Sequence, residues 1–301
     1  MKAWLFPLRF LLIALVCLGA GLARGEAADA NAAATLRAKY GKLQNQAANN
    51  PFQRPLYLES SETSDGVAGS IHALVDFPFA TAGAALNGPA HWCDILLLHL
   101  NTKYCRATTD SHGSALRVYI GKKHEQQLND AYQMDFVYRA AVANPDYLKI
   151  MLTAEEGPLS TREYRILLEA VPLDAGRTVL HLAYSYRYGL AGRLAMQAYL
   201  ATIGSGKVGF TVTDTRGDGR PIYIDGMRGV VARNTMRYYL AIEAYLGALS
   251  APPQARLEQS LRDWFAAIER YPRQLHELEQ NEYLVMKRNE YSRARAEARA
   301  P

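Results

Sequence analysis

Between residues 67 and 188 the chain repeats one pattern: short runs of alternating apolar and polar residues, broken by Gly, Asp, Asn or Pro. Such alternation marks strands with one dry and one wet face. Val67, Gly69, Ile71, Ala73 and Val75 alternate with Ala68, Ser70, His72 and Leu74. Pro78 ends this strand. The stretches ATAGAALNG and PAHWCDILLLHL then predict two short helices, split at Asn87-Gly88-Pro89. Strand-like segments follow at 102–108, 115–121, 131–142, 147–153, 162–171 and 177–188. Turn residues around Asp110, Asn144 and Asp174 join them pairwise, which predicts an antiparallel meander.

Met134, Phe136, Tyr138, Ala140 and Val142 share one face of their strand. Tyr164, Ile166, Leu168 and Ala170 share another, and Leu180, Leu182, Tyr184, Tyr186 and Tyr188 a third. The opposite faces carry Asp135, Arg139, Glu163, Arg165, Glu169, His181 and Arg187. A sheet dry on one side needs a helix to cover it. Residues 228–249 supply one: Val231, Thr235, Tyr238, Ile242, Tyr245 and Leu249 recur at steps of three and four, widened by Tyr239 and Leu246. Residues 189–227 read as an insertion near a cavity mouth, with a helix at 190–203 and a strand at 206–214. Upstream, a peripheral helix is predicted near 33–48 and a linker over 51–66. Beyond Pro252-Pro253, residues 254–297 predict a solvated helical arm of near-balanced charge. Its Leu257, Leu261, Trp264, Phe265 and Ile268 form a stripe that packs on the body.

The order strand, two small helices, six strands, long helix resembles the helix-grip fold of the START-like (SRPBCC; polyketide cyclase, Bet v 1-like) superfamily. The resemblance spans about 66–249 and is carried by GSIHALVDFPFATAGAAL, PAHWCDILLLHLNTK and MRGVVARNTMRYYLAIEAYL. It implies an α+β domain whose curved sheet of six to seven strands wraps a long C-terminal helix. It also implies a hydrophobic tunnel between the two, as in members that bind lipids, sterols and polyketides. The matching wall positions are Phe136, Tyr138, Ile166, Leu168, Tyr184, Tyr186, Tyr238, Ile242 and Tyr245. These residues equally satisfy the pattern of a solid core.

The N-terminus changes the picture of compartment. Lys2 and Arg9 precede an apolar run from Phe10 to Leu22, and small residues follow up to Gly25. This predicts a secretory signal peptide over 1–25, and a periplasmic location for the rest. Lys2, Arg9 and Arg24 account for three of the formal charge of +5, so no basic surface for nucleic acid is expected. In an oxidising compartment Cys93 and Cys105 are expected to pair as a disulfide. The spacing offers no zinc motif, and no metal or cofactor is expected.

Nineteen tyrosines against eight phenylalanines suit either a half-wet cavity or ordinary strand packing. No hydrolase elbow, zincin, phosphate-loop or dinucleotide motif is present. No catalytic residue is assigned. The expected function is an exported carrier or sensor of a lipid, sterol or hopanoid-like ligand, with transient membrane contact through 189–227. A cyclase/dehydratase-type enzyme using the same cavity is the first alternative. An interaction protein docking through its C-terminal arm is the second.

Overall fold

The computed structural model describes residues 28–46, 50, 52–202 and 206–299. The predicted signal peptide lies outside these residues.

The eight strands of the main sheet are β1 (Leu56–Glu62), β2 (Gly66–Val75), β3 (Thr102–Asp110), β4 (Gly113–Ile120), β5 (Tyr132–Asn144), β6 (Tyr147–Glu156), β7 (Thr161–Pro172) and β8 (Thr178–Tyr188). They run antiparallel in the order β1-β2-β8-β7-β6-β5-β4-β3. Helix α1 covers residues 28–46. Helices α2 (Phe79–Leu86) and α3 (Pro89–Leu98) connect β2 to β3. After β8 come α4 (Leu190–Ala201), the small hairpin β9 (Val212–Thr215) and β10 (Pro221–Tyr223), and the long helix α5 (Gly226–Gly247). The chain ends in α6 (Arg256–Ile268), α7 (Pro272–Leu275) and α8 (Gln280–Arg299). This is an α+β helix-grip fold, as the resemblance implied.

β1 raises the strand count. Its LYLESSE sequence falls in the stretch read as a linker, yet Leu56 and Leu58 alternate inward and pair with Ala73 and Ile71. The expected strand at 206–214 is shorter in the structure, reduced to β9. The last helix is interrupted between Leu275 and Gln280.

Small residues decide where α5 meets the sheet. It packs on β1, β2 and β8. A Cβ placed on Gly69 would lie 2.2 Å from Thr235 Oγ1 and 3.3 Å from the Val231 carbonyl oxygen. The helix therefore reaches β2 only because that position has no side chain.

The helix is buried on every side, so its polar residues need partners. Arg233 donates to the Val208 carbonyl at 3.2 Å. Arg237 donates to the Leu275 carbonyl at 3.3 Å and to Glu277 at 2.7 Å. The outer side of α5 is covered by the C-terminal helices, which are part of the body rather than a solvated arm. Leu261, Trp264, Phe265 and Ile268 are buried as the stripe predicts, and the Trp264 indole donates to the Arg237 carbonyl at 3.1 Å.

α8 closes the end beside α3 and β3. Tyr283 is buried and donates to the Leu98 carbonyl at 3.0 Å. Lys287 is buried as well and donates to the His99 and Thr102 carbonyls at 2.6 and 2.8 Å. Glu290 accepts from Lys287 at 2.8 Å and from Lys103 at 3.0 Å. Cys93 on α3 and Cys105 on β3 form a disulfide with Cα atoms 5.2 Å apart. Closing a loop of this length contributes about 2–3 kcal/mol.

The convex face is less wet than alternation implied. Ala33, Leu36 and Tyr40 of α1 pack on Tyr147, Val171 and Val179. A bulge between Ala140 and Val142 breaks the predicted face of β5, leaving Ala140 exposed and turning Val142 toward α1.

Candidate functional site

A cavity of about 860 Å³ lies between the concave face of the sheet and α5. β4 contributes Val118 and Ile120, β5 contributes Met134 and Phe136, and α5 contributes Val230, Asn234 and Tyr238. Leu96 of α3 and Met196 of α4 complete the apolar wall. Of the nine wall positions implied by the resemblance, Phe136, Ile166, Tyr184, Tyr186 and Tyr238 line this space. Tyr138, Leu168, Ile242 and Tyr245 are not among its lining residues. Leu168 and Ile242 are fully buried in the core. The Tyr138 hydroxyl reaches Asn87 at 3.5 Å, and Tyr245 turns to His91 on α3 at 2.5 Å.

Four tyrosines form a connected layer on the wall. Tyr164 stacks on Tyr186 with ring centroids 5.1 Å apart, and Tyr184 meets Tyr238 edge-on at 5.2 Å. The Tyr164 hydroxyl sits 2.7 Å from Thr161 Oγ1. The hydroxyls of Tyr184, Tyr186 and Tyr238 have no hydrogen-bond partner among the described residues. Burial raises the pKa of all four, to about 12 for Tyr164. They are therefore neutral phenols, able to donate to a guest and unsuited to act as bases near neutral pH.

A second part of the lining is charged, and the sequence pattern did not reveal it. Glu277 accepts from Lys123 at 2.6 Å and from Arg237 at 2.7 Å, with Lys207 at 3.6 Å. Burial pushes the Glu277 carboxyl up, but Arg237, Lys123 and Lys207 more than offset this, and its pKa lies below the ordinary value. Beside this cluster His99 lines the cavity and stacks on Tyr238 at 4.9 Å. Burial, reinforced by Arg237, Lys287, Lys123 and Lys103, holds its pKa well below 6.5. Glu277 stays a carboxylate and His99 a neutral imidazole, so this cluster holds neither a carboxylic acid nor an imidazolium near neutral pH.

One edge of the cavity is formed where α4 packs on the turn between β6 and β7, through Met196, Pro158 and Leu159. Leu159 and Ser160 in this turn, and Glu163 at the irregular start of β7, adopt positive φ, at 59°, 59° and 53°. Such conformations are costly for non-glycine residues. Leu159 lines the cavity while remaining 56% exposed, and on α4 Leu190 and Leu194 are 76% and 58% exposed.

On the convex face, Ser70, His181 and Glu169 form a relay. Ser70 Oγ is 3.1 Å from His181 Nε2, and His181 Nδ1 is 2.8 Å from Glu169 Oε2. Tyr147 donates to the other Glu169 oxygen. The three residues come from three strands, which is why sequence neighbours gave no hint of it. The geometry is that of a nucleophile, base and orienting acid. However, β2 is paired on both sides around Ser70, so the neighbouring backbone N–H groups are engaged in the sheet and form no oxyanion hole. The relay reads as a polar network beneath α1. No group of three or more metal-binding side chains occurs among the described residues.

No family model matches the chain, and no curated protein matches it. Among solved structures, norcoclaurine synthase from Thalictrum flavum in complex with dopamine and hydroxybenzaldehyde is similar. It is 10% identical over 50% of this chain and 80% of that one, with a TM-score of 0.32. Ara h 8.0201 is 10% identical over 64% of this chain and 99% of that one, with a TM-score of 0.35. A conserved protein from Geobacillus kaustophilus is 11% identical over 61% and 95%, with a TM-score of 0.34. At such identities and scores these likenesses carry no argument about what this chain binds or does.

Proposed function

We propose that this protein is an exported carrier or sensor that binds a lipid-, sterol- or hopanoid-like molecule in the cavity under α5. The observation that carries this reading is the cavity itself. At about 860 Å³ it falls within the range of small-molecule sites, ~300–1,000 Å³. Its walls are largely apolar, so binding is driven by removing apolar ligand surface from water, at roughly 25 cal/mol per Å² before ordering costs. The unpartnered hydroxyls of Tyr184, Tyr186 and Tyr238 then orient a polar group. Export is supported by the apolar N-terminal run and by the Cys93–Cys105 disulfide, a bond that persists in oxidising compartments.

The test is solvent extraction of the purified protein with mass spectrometry of the extract, paired with displacement of an apolar fluorescent probe. A co-purified lipid and saturable probe binding are expected. Met134→Trp, which fills the cavity, should weaken probe binding by about ten-fold or more while the fold persists. An empty extract together with probe binding unchanged by that substitution would retire the carrier reading.

A further inference from the structure

We infer that the guest of this cavity is an amphiphile whose polar end is an oxyanion, seated among Arg237, Lys123, Arg233 and His99. This rests on the reading of the cavity as a binding site and goes beyond it by naming the ligand's charge. The cavity lining carries four cations, Lys122, Lys123, Arg233 and Arg237, against two carboxylates, Asp130 and Glu277. Lys207 adds a further cation 3.6 Å from Glu277. Three cations thus converge on one carboxylate at the edge of an apolar chamber. Charges at a low-dielectric wall act strongly on whatever enters it, so the excess positive charge favours an anion over a neutral or cationic end.

His99 supplies an independent pointer. It is only 2% exposed. Its Nδ1 accepts from the Asn101 backbone N–H at 3.2 Å, which places the ring proton on Nε2 in the neutral form. That Nε2 has no partner among the described residues. A buried donor left without an acceptor is destabilising, and an oxyanion satisfies it. The neighbouring phenols of Tyr184 and Tyr238 are donors of the same kind. Arginine suits this role because its planar fork matches an oxyanion with two parallel bonds.

The experiment holds the tail constant and varies the head. Laurate, dodecanol and dodecylamine are titrated into the delipidated full chain by calorimetry, alongside two variants. For the unmodified protein, laurate should bind about ten-fold or more tighter than dodecanol, and dodecylamine weakest. Glu277→Gln removes the competing carboxylate and should tighten laurate while leaving dodecanol unchanged. Lys123→Gln, at a partly exposed position, should narrow the preference for laurate. Equal binding of laurate and dodecanol overturns the charge assignment while the cavity reading stands. Tightest binding of dodecylamine overturns it as well. Binding of none of the three, with no co-purified lipid, removes the carrier reading and this inference together. A loss of dodecanol binding in Glu277→Gln would show that Glu277 shapes the wall rather than competing with a guest anion, and would overturn its assigned role.

Discussion

Lys287 offers a measurable consequence of closing the cavity with a charged helix. Its ammonium is buried and donates to two backbone carbonyls and to Glu290. Burial, aided by nearby Lys103, lowers its pKa from 10.5 to about 8, although Glu290 acts in the opposite direction. The unfolded chain therefore binds more protons than the folded one between about pH 8 and 10.5. Where the unfolded state holds more protons, stability rises with pH. The contribution is present above 10.5 and is lost as the pH falls through about 8. Between pH 7 and about pH 9.5 it amounts to about 2 kcal/mol. The assay is urea denaturation at those two pH values for the parent and for Lys287→Met, which keeps the length of the side chain without its charge. The parent should gain about 2 kcal/mol relative to the variant on going to the higher pH. The tyrosines are common to both proteins and cancel in the comparison. A parent-minus-variant difference that stays constant, or that falls with pH, would show that Lys287 keeps an ordinary pKa and is not held in a dry site.

Three further outcomes follow from the packing. Gly69→Val should lower stability by about 1–3 kcal/mol by forcing α5 off β2, read as a lower Tm; an unchanged Tm would mean that the helix is not seated there. Reduction of Cys93–Cys105, or the double change to Ser, should cost about 2–3 kcal/mol in chemical denaturation, and a smaller effect would place little of the stability in the α3–β3 junction. Leu190→Glu with Leu194→Glu should slow pick-up of a fluorescent lipid from vesicles while leaving Tm within about 1 °C, because both side chains already face solvent; unaltered pick-up would remove α4 as the lipid-contact surface.

Much of the fold is legible in the sequence because a strand period of two leaves a plain trace. The faces of Tyr164–Ala170 and Leu180–Tyr188 emerge from alternation alone, and both are buried as expected. β1 is hidden because Pro55 precedes it and the run Glu59–Glu62 is polar; only Leu56 and Leu58 mark its inner face. The bulge at Ala140–Val142 is invisible in a pattern of small apolar residues.

The cavity lining is harder to read, for a geometric reason. Periodicity says which side of a strand is dry, but not whether the facing helix touches it. α5 seats on β2 through Gly69, and space remains beside β4, β5 and β7. Phe136 and Ile166 thus face the cavity while Leu168 and Ile242 are packed solid. Helix α5 is also enclosed on all sides, so its apolar stripe does not identify the face turned to the sheet, and Tyr245 faces α3. Glu277 and Leu278 sit on a short turn with no period at all, and their place in the wall depends on how α6 and α8 fold back.

That last feature sets an order of events. Glu277 and Leu278 belong to the wall, and α8 behind them clamps the backbone at His99 and Thr102. The chamber is therefore incomplete until residues 277–290 have been made and have docked. On the proposed carrier reading, a chain that lacks these residues has no closed wall against which to hold a ligand. Under the proposed reading of an exported carrier, the chain crosses empty and takes up its ligand on the far side.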